Sequence, residues 1–416
     1  MNTESFYGNR LVGAAFVAQF VAVGVYSYVL GAFMNPMLEE LNWARSDFSL
    51  TRSISQIVMA LAGILIGAKV DQIGAKPIML VGTTVLVVSL CAHTFVTSLW
   101  MWWVLNGIVV TIGCAMVGNL VVNATLSKWF FEKRGRAVAI AAMGVSFGGI
   151  AITPPITFLI DLLGWRMSWV VLGLSAGLLL YPVATMMRKA PEDYGLLPDG
   201  KKPNSEGSGS FDAAQSEFLN SYSRSEAIRT LSFYGLVLAF GCFAVNIVVV
   251  LLLSEDYLAD SGFGRGIGAW AIAIASIPAM LSKPLWGVLI DKHPAKPLAA
   301  LSASATGFSL ALIVFAAFSG DLLLVYIGYI FLGLGWGGML PMQEVIWASF
   351  FGRRYIGSIR GAAMPFSLAL GAPIPWLVSY YRDLTGGYHE AFFAVAALNI
   401  MSGIMIFLVP KPTRSI

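Results

Sequence analysis

Twelve stretches of this chain are each long and apolar enough to cross a bilayer, and that repetition limits the fold more than any other feature. They run roughly over 11–35, 47–68, 77–97, 99–127, 136–160, 165–187, 230–253, 266–290, 298–319, 321–348, 357–380 and 389–410. Crossing about 30 Å of hydrocarbon takes about 20 apolar residues in a helix. Inside lipid every backbone N–H and C=O must be satisfied within the segment, which leaves helices as the solution for spans of this length. The chain is 57% hydrophobic and 12% charged, where a soluble domain has about 25% charge. The expected fold is all-α: a polytopic membrane protein of 12 transmembrane helices. The run beginning at Leu11 follows a short polar start without a small-residue cleavage site, so it is expected to be kept as the first span.

One long polar segment interrupts the pattern, from about 188 to 229, and includes "KKPNSEGSGSFDAAQSE". Its Ser, Gly and charge content reads as a linker. Three parts follow: 1–187 as an N-terminal six-helix bundle, 188–229 as the linker and 230–416 as a C-terminal six-helix bundle. Of the 26 lysines and arginines, 20 fall on the side of the bilayer that holds the linker and both ends. Arg45, Arg166, Arg265 and Arg382 lie opposite, while the acids divide almost evenly. The positive-inside rule makes the first side cytoplasmic. Arg52, Lys283 and Glu344 remain well inside spans.

The two halves carry related sequences. "GAKVDQIGAKP" at 67–77 and "GVLIDKHPAKP" at 287–297 match at Gly, Asp, Ala, Lys and Pro, 220 residues apart. The same offset pairs Gly113 with Gly333, Gly118 with Gly338, Phe130–Phe131 with Phe350–Phe351, and Lys133–Arg134 with Arg353–Arg354. Several matches in order point to duplication, and two similar six-helix halves suit alternating access to a central site.

This layout resembles the major facilitator superfamily over nearly the whole chain. The family's loop signature after span 2, Gly-x-x-x-Asp-Arg/Lys-x-Gly-x-Arg/Lys, is represented by Gly67, Asp71, Gly74 and Lys76, with Gln72 in place of the usual base. After span 8 it is represented by Gly287, Asp291, Lys292 and Lys296, with Pro294 in place of the glycine. A carboxylate at such a membrane edge accepts hydrogen bonds from a helix N-terminus or an arginine, so Asp71 and Asp291 are expected to act in gating. The alternative is a solvated loop acid. "KWFFEKRGRAVAIAAMGVSFGG" at 128–149, "RKAPEDYGLLPDG" at 188–200 and "WASFFGRRYIGSIRG" at 347–361 resemble the monocarboxylate transporter and bacterial oxalate/formate antiporter branch. They add Arg134 and Arg354 to the gating residues.

In span 8 of that branch a cation precedes a proline, and "SKPLWG" fits it, with Lys283 where arginine is usual. Eight residues separate Lys283 from Asp291, about 12 Å along a helix, so the ammonium lies deep in the bilayer. A charge there costs several kcal/mol unless it is paired or wetted. Pro278 and Pro284 free carbonyls in the preceding turns. The expectation is that Lys283 faces a water-filled cavity and attracts a carboxylate; the alternatives are a salt bridge to Glu344 or snorkelling. Symporters of the branch carry an aspartate one turn before the cation, where this chain has Ala279.

Further substrate contacts are expected from Arg52, Tyr28, Asn123 and Gln343, each of which could instead make a structural contact, Arg52 by snorkelling beside Asp47 and the others by interhelical hydrogen bonds. Glu344 reads equally as a proton relay or as a gate lock to Arg353 or Arg354. The three cysteines lie in apolar runs and the three histidines are dispersed, and no phosphate loop or nucleophile elbow appears. No cofactor, metal site, enzymatic activity or nucleic-acid partner is therefore expected. What the resemblance implies is a secondary active transporter of a small organic anion, a monocarboxylate, in a bacterial inner membrane. It would work as a monomer by rocker-switch alternating access, with a proton or a counter-anion as coupling partner and the lipid bilayer around it. An exporter of hydrophobic or drug-like compounds and a membrane ligand sensor are the other readings.

Overall fold

The computed structural model of the protein describes residues 6–200, 215–371 and 373–413. The middle of the linker, including Lys201 and Lys202, lies outside the described residues, as do Arg414 and the side chains of Arg45 and Arg265. All regular secondary structure among the described residues is helical. Eleven helices there are long and apolar enough to cross a membrane, one fewer than the twelve expected from hydropathy. The difference is local to the fifth span. Its first part is the helix Arg134–Ala151, and its remainder belongs to the helix Thr153–Met186, which turns at Gly164 (φ +76°) before the sixth span begins. Pro154 and Pro155 lack N–H donors, so the ladder is interrupted within the apolar run.

The remaining spans keep the expected order. Span 1 is Tyr7–Leu41, span 2 Asp47–Ile73, span 3 Ala75–Phe95, span 4 Leu99–Trp129 and span 7 Leu231–Asp260. Span 8 is Trp270–Lys292, span 9 Ala295–Ser319, span 10 Leu322–Phe351, span 11 Ile356–Thr385 and span 12 His389–Leu408. Many large apolar side chains of the spans point outward, Leu178 of the sixth and Phe318 of the ninth being nearly 80% exposed. Lipid covers such a surface at no cost.

The chain packs into two compact units. The first is Met1–Arg224 with Phe351–Pro365, and the second is Ser225–Phe350 with Phe366–Ile416. Most of the linker thus belongs to the first unit, which also takes the opening turns of span 11. Within the first unit span 3 packs along span 6, and within the second span 9 packs along span 12. These pairings are equivalent under the sequence repeat. Small residues permit the contact: a Cβ at Gly307 would sit 2.7 Å from the Ala396 carbonyl oxygen, and one at Gly403 2.7 Å from that of Ala300. In the first unit an aromatic core closes one end, with Phe33 stacked on Trp169 (3.8 Å), His93 on Trp169 (4.6 Å) and Phe48 on Trp102 (4.6 Å).

Two further spans of the first unit depart from regular helix. Span 1 widens into a π-turn over Gly24–Tyr28. Span 4 does the same over Trp103–Val110 and then breaks at Gly118, whose backbone is extended (φ −87°, ψ −160°). Such irregularities inside a bilayer occur where protein or a wet cavity can satisfy the backbone.

Candidate functional site

In the second unit the site is built on spans 7, 8 and 10. The helix Arg265–Lys292 carries Pro278 and Pro284, and Lys283 between them is 5% exposed. Spans 8 and 10 approach closely because span 10 offers glycine: a Cβ on Gly333 would collide with the Ala275 carbonyl, and one on Gly337 with Ser282. At this contact Ser282 Oγ (3.2 Å) and Trp286 Nε1 (2.7 Å) both donate to the Leu334 carbonyl. These bonds fix the two turns of span 8 that flank Lys283. Span 7 is joined in the same way, with Trp336 Nε1 donating to the fully buried Asn246 Oδ1 at 2.9 Å. On span 10 Glu344 is 5% exposed and its neighbour Gln343 is half-buried. In the first unit Arg353 pairs with Glu192, and Arg354 packs on Phe218 and Tyr355.

In the first unit Arg52 Nη1 donates to the Tyr26 carbonyl at 2.7 Å, and its guanidinium lies 4.3 Å over the Tyr26 ring. The charge is therefore held on the π-turn of span 1. Tyr28 is half-buried, its ring against Gly149 of the fifth span. Asn123 is buried, and its Oδ1 accepts from Gln19 Nε2 at 2.9 Å. One turn earlier, Asn119 reaches a cavity of about 260 Å³ together with Tyr26, Ser27, Met59 and Gly118.

Three of the residues expected to act in gating, Asp71, Arg134 and Arg354, lie in the first unit. Lys128 Nζ lies 2.7 Å from Asp71 Oδ1, and the two side chains are 4% and 3% exposed. The N-terminus of the helix Ile356–Gly371 closes on the same carboxylate: Gly357 N donates to Oδ1 at 3.3 Å, and Ser358 donates to Oδ2 from its N (2.6 Å) and its Oγ (2.7 Å). A carboxylate at a helix N-terminus is favoured by both the unpaired N–H groups and the helix dipole. Below it span 2 meets span 11 through two glycine pairs. Gly63 and Gly67 face Gly361 and Gly357, so close that a Cβ on Gly361 or Gly67 would collide with the opposite backbone.

Around this contact Arg134 Nη2 bonds Glu217 Oε1 at 2.8 Å and its Nε bonds the Phe130 carbonyl. Arg354 places its guanidinium over Phe218 (5.4 Å) and Tyr355 (5.1 Å). Asp291, the repeat equivalent of Asp71, is half-buried at the end of span 8 in the second unit. Hydropathy and motifs had not singled out Lys128, Ser358 or Glu192 for these contacts with Asp71 and Arg353. The repeat gives no warning of Lys128, since its equivalent is Ala348. Ser358 could be found only by recognising where the eleventh helix begins.

The family model of the Major Facilitator Superfamily matches residues 15–372 and again 231–416. Among curated proteins, an oxalate:formate antiporter of Oxalobacter formigenes is 24% identical over 430 residues, covering 98% of this chain and 94% of that protein. Monocarboxylate transporter 2 of Rattus norvegicus is 23% identical over 418 residues, covering 94% and 81%. Among solved structures the chain is similar to the proton:xylose symporter XylE (TM-score 0.76, 14% identity, 97% and 96% covered). It is also similar to the E. coli fucose:proton symporter FucP (TM-score 0.69, 15% identity, 98% and 100% covered). These likenesses at low identity bear on fold. Together with the duplicated six-helix pattern and the family match over most of its length, they show that this chain, a membrane transporter rather than an enzyme, belongs to the major facilitator superfamily.

Proposed function

We propose that the protein is a secondary active transporter of a small monocarboxylate, coupled to protons and working by rocker-switch alternating access in a bacterial inner membrane. One observation carries this reading: Lys283, an ammonium 5% exposed in the interior of span 8. On insertion scales a cation at that depth costs about 2.5–3.5 kcal/mol, so its presence in an otherwise apolar helix calls for a use. Attracting an anion is that use. The names of the relatives, an oxalate:formate antiporter and monocarboxylate transporters, support the same class. Tyr28, Asn123, Gln343 and Arg52 are assigned as further polar contacts to the substrate. The basic loops face the cytoplasm, where Asp71, Asp291, Arg134 and Arg354 form the gate. Glu344 is assigned to proton coupling.

Anion exchange is the second reading, and Ala279 favours it. It stands one turn before Lys283, where symporters of the branch carry aspartate, and the oxalate:formate relative is named an antiporter.

A thermal-shift screen of carboxylates on purified protein tests the assignment. A ligand at 100 times its Kd stabilises by about 2.7 kcal/mol. Lys283→Ala should stay folded and lose the shift with carboxylates; an equal shift in both proteins would remove Lys283 from the site.

A further inference from the structure

The linker looks in sequence like a passive tether, yet its two described ends are fastened onto the Asp71 gate from both sides. From the first end, Asp199 takes the N–H groups of three consecutive residues, Phe131 (3.0 Å), Glu132 (2.8 Å) and Lys133 (3.2 Å), where the chain turns into the fifth span. Asp199 itself adopts a left-handed conformation (φ +59°) to reach them. Trp129 Nε1 of span 4 donates to the Arg188 carbonyl at 3.2 Å. From the same end Glu192 Oε1 lies 2.5 Å from Arg353 Nη2. From the second end, Glu217 pairs with the buried Arg134, Tyr222 N donates to the Phe351 carbonyl at 2.8 Å, and Ser221 Oγ accepts from Arg354 N at 3.2 Å.

One of these contacts, Glu192 to Arg353, begins a continuous chain of bonds to Asp71. Glu192 holds Arg353, whose Nη1 donates to the Lys128 carbonyl at 2.6 Å. Lys128 in turn holds Asp71, and Asp71 holds the first turn of span 11 through Ser358. Arg353 is 2% exposed, so its orientation depends on these partners and on Phe218, over which it lies at 5.1 Å. Glu192 is the link that solvent reaches, its side chain being 34% exposed.

We infer that the linker is a strap that locks the cytoplasmic gate, with Glu192 and Asp199 as its two fastenings, and that it must let go before the gate opens. Resting on the gate reading of Asp71, the inference adds that the closed state is held from the cytosol by residues that touch neither substrate nor Asp71. Neutralising either fastening leaves the spans intact. It frees Arg353, or it frees the turn before the fifth span, and the gate then opens more often.

Spin labels at Lys76→Cys and His293→Cys, in a background lacking Cys91, Cys114 and Cys242, report the cytoplasmic separation by electron–electron distance measurement on full-length protein in nanodiscs. Glu192→Gln and Asp199→Asn should each raise the population at the longer distance at least threefold over the parent. Glu217→Gln provides a third fastening to loosen should one of these variants misfold. Unchanged distributions in the folded strap variants would overturn the inference. Asp71→Asn, measured alongside, separates the two ideas. A shift with Asp71→Asn but none with the strap variants removes the strap and keeps the gate. No shift with Asp71→Asn removes the gate reading instead.

Discussion

Ser358 binds Asp71 twice through a single oxygen, its backbone N–H at 2.6 Å and its hydroxyl at 2.7 Å both donating to Oδ2. The other oxygen is taken by Lys128 and Gly357. One carboxylate thus joins spans 2, 4 and 11, and its bonds differ in what their loss would leave behind.

Removing the hydroxyl with Ser358→Ala leaves the N–H bond and the ion pair in place. The expected loss is that of one hydrogen bond to a charged group, about 1.5–3 kcal/mol. Asp71→Asn strands the Lys128 ammonium and should cost about 3–5 kcal/mol. The double variant Asp71→Asn, Lys128→Met should recover much of that loss. Thermal unfolding of the parent, Asp71→Asn, Lys128→Met and the double variant as a double-mutant cycle checks the coupling; additive effects would contradict the pairing.

Gly361 lies so close to the Gly63 carbonyl that no side chain fits. Gly361→Leu is expected to push span 11 off span 2, at about 1–3 kcal/mol for the overpacking, and to slow transport. Gly371, with open space beside it, should accept alanine at no more than the ordinary helix cost of either sign. Comparing melting temperatures and initial uptake rates of Gly361→Leu and Gly371→Ala tests whether the contact, rather than glycine content, is what matters.

Lys283→Arg should retain anion selectivity, while Lys283→Gln should lower kcat/KM for the carboxylate at least tenfold, the equivalent of about 1.4 kcal/mol. The readout is uptake of labelled carboxylate into proteoliposomes across a concentration series. A Gln variant with parental kcat/KM would contradict the anchoring role.

Glu344→Gln should abolish proton uptake accompanying the anion, followed with a pH-sensitive dye, while exchange of labelled for unlabelled anion continues. If proton movement survives in the Gln variant, the coupling group lies elsewhere.

The spans were legible because hydrocarbon admits few backbone solutions, and the repeat was legible because Asp71 and Asp291 recur in matching loops. The break at Pro154–Pro155 could be anticipated locally, but not the way residues 153–163 would run on into the sixth span, since that depends on the left-handed turn at Gly164. Lys283 stood out because a charge in an apolar run is rare. Asp71 was recognisable from its motif, whereas Lys128 and Ser358 were not: an interior lysine at the end of span 4 looks like any loop base until the packing buries it. The linker was the least readable part. Ser, Gly and charge are the composition of a disordered tether, and the fastenings of Asp199 and Glu192 come from positions distant in sequence, which local composition does not encode.

The facing glycines of spans 2 and 11 impose a condition on any separation of these two helices. Salt weakens ion pairs by screening them, but it does not act on bare peptide pressed against bare peptide. Raising ionic strength should therefore act mainly on the Glu192–Arg353 pair, whose acid is 34% exposed, without prising the helices apart.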